Sequence, residues 1–356
     1  VEQVLNPKTP IYERIEKLLE LSKKHSKEYC SPDAFLSRTQ YLARHPTKLI
    51  VLKCMDGRIH IPFATKTPLG IITPIRNLGG RFDMGWPYLS EIVFNTVMDA
   101  IYEGKNVLLI NTYHYSKSDV KCGCAGFNYD CDSAIASAFY VRDQIRSLFG
   151  SRGETVYSIV WGIETDEDAI ILHGYDGKVL NLSEYRFIDE DTLLADLISL
   201  YGDIKPSVIR DILPLIRGNL NHIKEMKEND LRISVEHTEW ILCLGRGFDF
   251  LHIPNIALII GPYSPDLTSP IVKAASIIQS NMESGRISND GFLLLTSSAY
   301  WEIGPDKARA EIKSRFLANF AAQVIQKELP EFYKKMYRIT ATLNWNTRSL
   351  EILEKD

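Results

Sequence analysis

Apolar residues recur along this chain with two spacings. In residues 11–29 Ile11, Ile15, Leu18 and Leu19 fall on one face at helical spacing, which predicts an amphipathic helix. Ser31-Pro32-Asp33 restarts the chain, and a second helix is predicted to Arg44. Residues 1–46 thus read as a helical N-terminal arm that packs on the main body. Lys48 to Lys53 is a short apolar run of the kind found in buried strands. A helix is predicted from Trp86 to Tyr102, a strand from Asn106 to Thr112, and a helix from Asp132 to Phe149 with Asp132 as its N-cap. Val156–Ile163 and Ala169–Leu172 read as two strands joined by the polar turn 164–167. Strands alternating with helices predict an α/β fold with a mostly parallel sheet flanked by helices.

The pattern then repeats. Val107–Tyr115 aligns with Phe292–Tyr300, and Ile50-Val51-Leu52 aligns with Leu242-Cys243-Leu244. His60-Ile61-Pro62 matches His252-Ile253-Pro254 in the same register, and Tyr157, Ile159 and Ile163 match Tyr337, Ile339 and Leu343. The helix around Ala134–Phe149 has a counterpart around Ala308–Gln326. The common order predicts a duplicated domain: an arm (1–46), a first α/β domain (47–188), a helical linker (189–230) with Pro206 and Pro214 near helix starts, and a second copy (231–356). In that second copy Arg246 stands opposite Cys54, Phe248 opposite Asp56 and Ala299 opposite His114. A fold that is built twice but carries these polar residues once does not need them for folding. Chemistry is therefore expected in the first copy alone.

Composition narrows the partners. The chain has 356 residues, is 45% hydrophobic and 24% charged, and carries a net charge of −4. That is ordinary globular composition and gives no electrostatic case for nucleic acid or an anionic membrane. No apolar run approaches the roughly 20 residues that span a bilayer. VEQVLNPKTP does not read as a secretion signal. Of the six cysteines, three (Cys122, Cys124 and Cys131) lie within ten residues, a clustering that favours metal ligation or reactive thiols in a reducing interior, the cytoplasm, over a disulfide framework.

Cys54-Met55-Asp56-Gly57-Arg58 directly follows one buried strand, and His114 follows another. Ligands of parallel sheets bind at the carboxyl ends of the strands, so Cys54 and His114 are expected to meet there, with a second cysteine brought in by the loop after His114. Two thiolates and an imidazole suit Zn²⁺, and three protein ligands leave a fourth position open. Asp56 and Arg58 alternate with Cys54. A carboxylate fixed by a guanidinium keeps its charge and can orient the hydroxide that zinc supplies. The other histidines (His25, His45, His173, His222 and His237) show no metal-like spacing and are expected at the surface or satisfied in the core. His60 and His252 recur in both copies and read as structural.

These residues resemble the β-class carbonic anhydrases: Cys-x-Asp-x-Arg at one strand end, a strand ending in His, then Cys-Gly. Arg76-Asn77-Leu78-Gly79-Gly80 is similar to the Arg-Asn-x-Gly stretch beside that family's active site. The long gap between His114 and the cysteines, the helical arm, the second copy and Gly162–Ile170 look most like the divergent carboxysome shell subgroup. The resemblance implies a helical domain, a catalytic domain and a defunct catalytic-like domain. It also implies Zn²⁺ as cofactor, CO₂ and bicarbonate as substrate and product, Asp56 and Arg58 as catalytic residues, and a homodimer or higher homo-oligomer.

The third ligand stays open between Cys122, which is followed by Gly123 as the family's ligand usually is, and Cys124. The latter is favoured by its ten-residue spacing from His114. Arg76, Asn77 and Gly79 either line the substrate pocket or form a tight turn. The long N-terminal extension of carboxysomal members is missing here, which leaves carboxysomal association possible but unsupported beside the cytoplasmic expectation. Two other functions fit the same residues: hydrolysis of a CO₂ analogue such as carbonyl sulfide or carbon disulfide, and a structural zinc closed by both Cys122 and Cys124. Cys122-Gly123-Cys124 lacks redox spacing, and Leu78–Arg81 lacks a nucleotide-binding glycine pattern.

Overall fold

The computed structural model describes residues 6–150, 154–228, 236–245 and 253–356. The chain begins with helices α1 (Ile11–Tyr29) and α2 (Pro32–Arg44), then β1 (Lys48–Cys54), the single turn α3 (Ile61–Ala64) and β2 (Ile72–Asn77). Next come α4 (Pro87–Tyr102), β3 (Val107–Tyr115), α5 (Cys131–Phe149), β4 (Val156–Glu164), β5 (Ala169–His173) and β6 (Val179–Asn181). Helices α6 (Glu190–Leu200) and α7 (Pro206–Glu228) lead to β7 (Ile241–Gly245) and β8 (Ala257–Ile260). The chain ends with α8 (Thr268–Glu283), β9 (Phe292–Tyr300), α9 (Pro305–Glu328), α10 (Pro330–Tyr333), β10 (Met336–Asn344) and β11 (Ser349–Lys355).

The strands form two sheets. The first has the order β2-β1-β3-β4-β5-β6 and the second β11-β10-β9-β7-β8. Read from the edge strand β2 or β8, the order is the same through five strands, and the ladders agree in register. Val107 to Tyr115 pair in parallel with Val156 to Glu164, as Phe292 to Tyr300 pair with Met336 to Asn344. Leu49 pairs with Leu108 and Ile72, as Ile241 pairs with Leu293 and Ala257. His114 and Ala299 are both the eighth residue of a nine-residue strand. Arg246, Phe248 and His252 lie outside the described residues.

The chain divides into two compact units that interleave in sequence. One comprises Leu36–Cys54 and Ile59–Val235; the other comprises Val1–Phe35, Met55–Arg58 and Glu236–Asp356. In the first unit, period-two alternation sends Leu49, Val51, Leu108, Ile110, Ile159 and Trp161 to one core. Leu193 and Leu197 of α6 and Ile209, Ile212 and Ile216 of α7 meet them there. Ala134 and Ala138 of α5 pack against Tyr113 and Val160 on the other side. In the second unit, α1 buries Ile11, Ile15 and Leu18, while its buried Arg14 bonds Asp290 at 3.0 Å and lies over the Trp240 ring. Helix α2 buries no residue.

Two local expectations need correction. Helix α5 starts one residue early, and its cap is Asp130, whose carboxylate accepts from the Asp132 N–H. Asp132 instead takes the acidic first-turn position that suits the helix dipole. Pro214 lies inside α7 rather than near a start. A proline there forfeits one backbone hydrogen bond. Burial of Ile209, Ile212, Leu213, Leu215 and Ile216 around it keeps the helix continuous. No helix among the described residues is long and apolar enough to cross a membrane.

Candidate metal centre

Cys54 closes β1, His114 is the next-to-last residue of β3, and β1 and β3 run side by side in parallel. The sheet thus delivers both side chains to the same edge. Cys124 arrives on the loop after β3, one residue before the tight turn Ala125–Phe127. All three are buried, and one donor atom from each, two sulfurs and an imidazole nitrogen, lie within 4.8 Å of one another. Burial pushes the Cys54 thiol well up; the neighbouring Cys124 adds to this and His114 opposes it. A buried pair of thiols is poorly disposed to ionise unless a cation supplies the compensating charge. Two thiolates and an imidazole are donors that suit zinc, and the three lie close enough together for one ion to reach them all.

Cys122 is not part of this group. It ends the short turn Val120–Cys122, is partly exposed, and places its sulfur 3.7 Å from an Asp119 carboxylate oxygen.

The loop between His114 and Cys124 is tied down at its start by the turn after β4. Asp166 accepts from the Ser116 hydroxyl and the Ser118 N–H, both at 2.7 Å, and the Tyr115 carbonyl accepts from the Thr165 N–H. Buried Glu164 collects the N–H groups of Asp166 and Glu167, and burial raises its pKa. Tyr113, on the opposite face from His114, bonds His173 at 2.7 Å. Gly162 makes room for it: a Cβ there would lie 2.4 Å from the Tyr113 hydroxyl.

Arg76 and Asn77 are the last two residues of β2, level with Lys53 and Cys54. The Arg76 guanidinium donates to the Cys54 carbonyl at 3.2 Å, and the Asn77 amide donates to the Arg81 carbonyl at 2.9 Å. Gly79 and Gly80 form a tight turn, both at positive φ (69° and 64°).

Asp56 and Arg58 form a buried, two-point ion pair. The Asp56 oxygens accept from the Arg58 guanidinium at 3.0 and 2.6 Å and from the Arg58 backbone N–H at 2.9 Å. Their segment belongs to the compact unit of the second sheet. There the Met55 carbonyl accepts from Ile259 N–H, the Gly57 carbonyl accepts from Asn255 N–H, and the Gly57 N–H donates to Glu239.

The same unit places His237 and Glu239 beside Asp56, with donor atoms within 4.8 Å of one another. Nδ1 of His237 is 2.9 Å from a Glu239 oxygen, and Nε2 is 4.0 Å from Asp56. His237, expected at the surface or satisfied, is satisfied by Glu239, and it also stands near Asp56, which its spacing in the sequence did not indicate. The usable signal was His237-x-Glu239 leading into β7, since residues two apart in extended chain share a face. Its partner Asp56, 181 positions earlier, gave no local cue.

His60 has the structural role expected of it, a ring nitrogen accepting from the Phe63 N–H at the start of α3. His222 pairs with buried Asp168 at 3.1 Å.

The family model described as Carboxysome Shell Carbonic Anhydrase, catalytic domain, matches residues 40–227, more than half of the chain. A carboxysome shell carbonic anhydrase of Hydrogenovibrio crunogenus is 24% identical over 242 residues, 58% of this chain and 46% of that protein. One from Halothiobacillus neapolitanus is 23% identical over 250 residues, 57% of this chain and 48% of that protein. The chain thus spans about half the length of the curated relatives it matches. A solved β-carbonic anhydrase, CcaA, aligns with a TM-score of 0.35 at 12% identity, over 48% of this chain and 92% of that one.

Proposed function

The chain belongs to the carboxysome shell carbonic anhydrase family, and on that premise we propose that it catalyses the reversible hydration of CO₂ to bicarbonate and a proton with zinc held by Cys54, His114 and Cys124. The observation that carries this reading is the buried Cys54–His114–Cys124 group at the carboxyl edge of the first sheet. Zinc, when bound, supplies hydroxide near neutral pH by acidifying water.

The protein's own residues do the rest. Asp56 lies two residues beyond Cys54, so chain length alone keeps the two α-carbons within about 7 Å. Its carboxylate accepts the hydrogen bond that fixes the nucleophile's orientation. Arg58 holds both carboxylate oxygens, which keeps Asp56 ionised and limits its rotation. Arg76, Asn77 and Gly79 border the site from β2 and the turn after it.

A three-member metal group favours an open coordination position over a closed structural zinc, because Cys122 is not among its donors. The test is metal analysis with a stopped-flow CO₂ hydration assay on wild type and His114→Ala. One equivalent of thiolate-bound zinc with hydration activity, both lost in His114→Ala, is the expected result. Bound zinc without activity in the wild type would assign a structural role, and full activity in metal-free protein would exclude the mechanism.

A further inference from the structure

The three proposed metal ligands come from three separate segments: the end of β1, the end of β3 and the loop before α5. One tripeptide touches all three. The turn Leu78-Gly79-Gly80 lies so close to the strand ends that a Cβ on Gly80 would sit 3.0 Å from the Thr112 carbonyl, two residues before His114, and 3.4 Å from the Cys54 nitrogen. On its other side, a Cβ on Gly79 would sit 3.0 Å from the Phe127 ring and 3.3 Å from the Gly126 α-carbon. The reciprocal contact is tighter: a Cβ on Gly126 would meet the Gly79 α-carbon at 2.5 Å and its nitrogen at 2.6 Å. That partner is backbone, so it cannot swing away as a side chain would. The Arg81 guanidinium lies 4.3 Å over the Phe127 ring and closes the contact.

We infer that the Leu78–Gly80 turn is the template that sets the three ligand-bearing segments against one another, with Gly126 as its counterpart on the Cys124 loop. This rests on the metal reading above and deepens it. Gly79, Gly80 and Gly126 are positioning residues, since none of them bears a ligand atom. The positive φ of Gly79 and Gly80 bends the chain so that its backbone, rather than a side chain, faces the strand ends. Two glycines back to back then let the Cys124 loop approach to backbone contact. Adding one methyl at 126 must push that loop outward by a fraction of an ångström or more. A binding site has to be held to within about 0.5 Å of its working geometry.

The experiment measures Co²⁺ and Zn²⁺ affinity of the full chain by chelator competition. It also records the sulfur-to-cobalt charge-transfer band and the thermal midpoint of the metal-free protein. Gly126→Ala is expected to weaken both metals at least tenfold and to lower the charge-transfer intensity, with little change in the metal-free midpoint. Arg81→Gln is the milder variant for the case in which Gly126→Ala does not fold, and it should weaken binding several-fold with the same spectral change. Gly202→Ala, where a methyl meets nothing within 4 Å, should behave as wild type.

Wild-type affinity and spectrum in both Gly126→Ala and Arg81→Gln would overturn the inference, as would a metal-affinity loss fully matched by a fall in the metal-free midpoint. Cys124→Ala separates the two layers. If it binds cobalt with an unchanged spectrum, the ligand assignment itself fails. If its band weakens toward that of a single thiolate while Gly126→Ala keeps the wild-type band, only the template fails.

Discussion

At the scale of single residues, the Asp56–Arg58 pair is where charge is used most sparingly. Both side chains are buried, and the guanidinium meets both carboxylate oxygens. Such a pair makes little net contribution to stability, because desolvation offsets most of the attraction. In the proposed reaction its value is to hold one acceptor in one orientation. Asp56→Asn should therefore keep zinc while lowering CO₂ hydration by about 10²-fold, the usual size for a proton-handling group; equal losses of zinc and activity would assign Asp56 to folding instead.

The proposed ligands Cys54 and His114 could be picked out of the sequence, because Cys-x-Asp-x-Arg and a strand-ending His are local patterns with chemical meaning. His237 and Glu239 were legible only as a spacing. What gives them a role is a partner 181 and 183 positions away, and such a pairing has no local signature. Spacing favoured Cys124 over Cys122 without deciding between them, and Cys124 is the one that lies with Cys54 and His114. That placement turns on a loop path set by Asp166 at one end and by backbone contact at Gly126 at the other.

At the scale of elements, strands declared themselves through unbroken apolar runs, so β1, β3 and β4 were readable to within a few residues. β2 was missed because Ile72-Thr73-Pro74-Ile75-Arg76-Asn77 carries a proline and ends in polar residues. It is an edge strand, where a missing N–H does no harm. The polar end that hid the strand is the part that reaches Cys54. Helix α7 shows the converse case, in which tertiary burial overrides a local breaker at Pro214.

Gly218 in α7 marks a second place where an element depends on having no side chain. A Cβ there would fall 1.9 Å from the Thr65 carbonyl, and its neighbour Asn219 bonds the Ala64 and Asp168 carbonyls and the Ile170 N–H. Gly218→Ala should destabilise the protein by about 1–3 kcal/mol, the range for overpacking a filled site. Denaturant unfolding would show this as a lower midpoint, and an unchanged midpoint would mean that the helix shifts freely.

At the scale of the whole molecule, the same strand order and ladder register occur twice, yet only the first sheet offers Cys and His at its carboxyl edge among the described residues. The second sheet carries Ala299 where the first has His114. Its unit nonetheless holds the four residues Met55–Arg58, and so anchors Asp56. Glu239, fully buried and bonded to the Gly57 N–H and to His237, is the hinge of that anchorage. Glu239→Ala in the full chain should keep zinc, because no ligand is touched, and should lower hydration through a loosened Asp56. Zinc content measured beside kcat would show the split, whereas unaltered kcat would leave the second unit without a part in the reaction.

The carbonyl of Met55 waits for the N–H of Ile259, which is made 204 residues later. On a ribosome, all three proposed ligands emerge well before β8, and the bonds that fix the Asp56 segment exist only once β8 has been synthesised. Loop closure over that distance is slow compared with local folding. The nascent protein therefore acquires the groups proposed to capture metal well before it acquires the bonds that hold Asp56 in place.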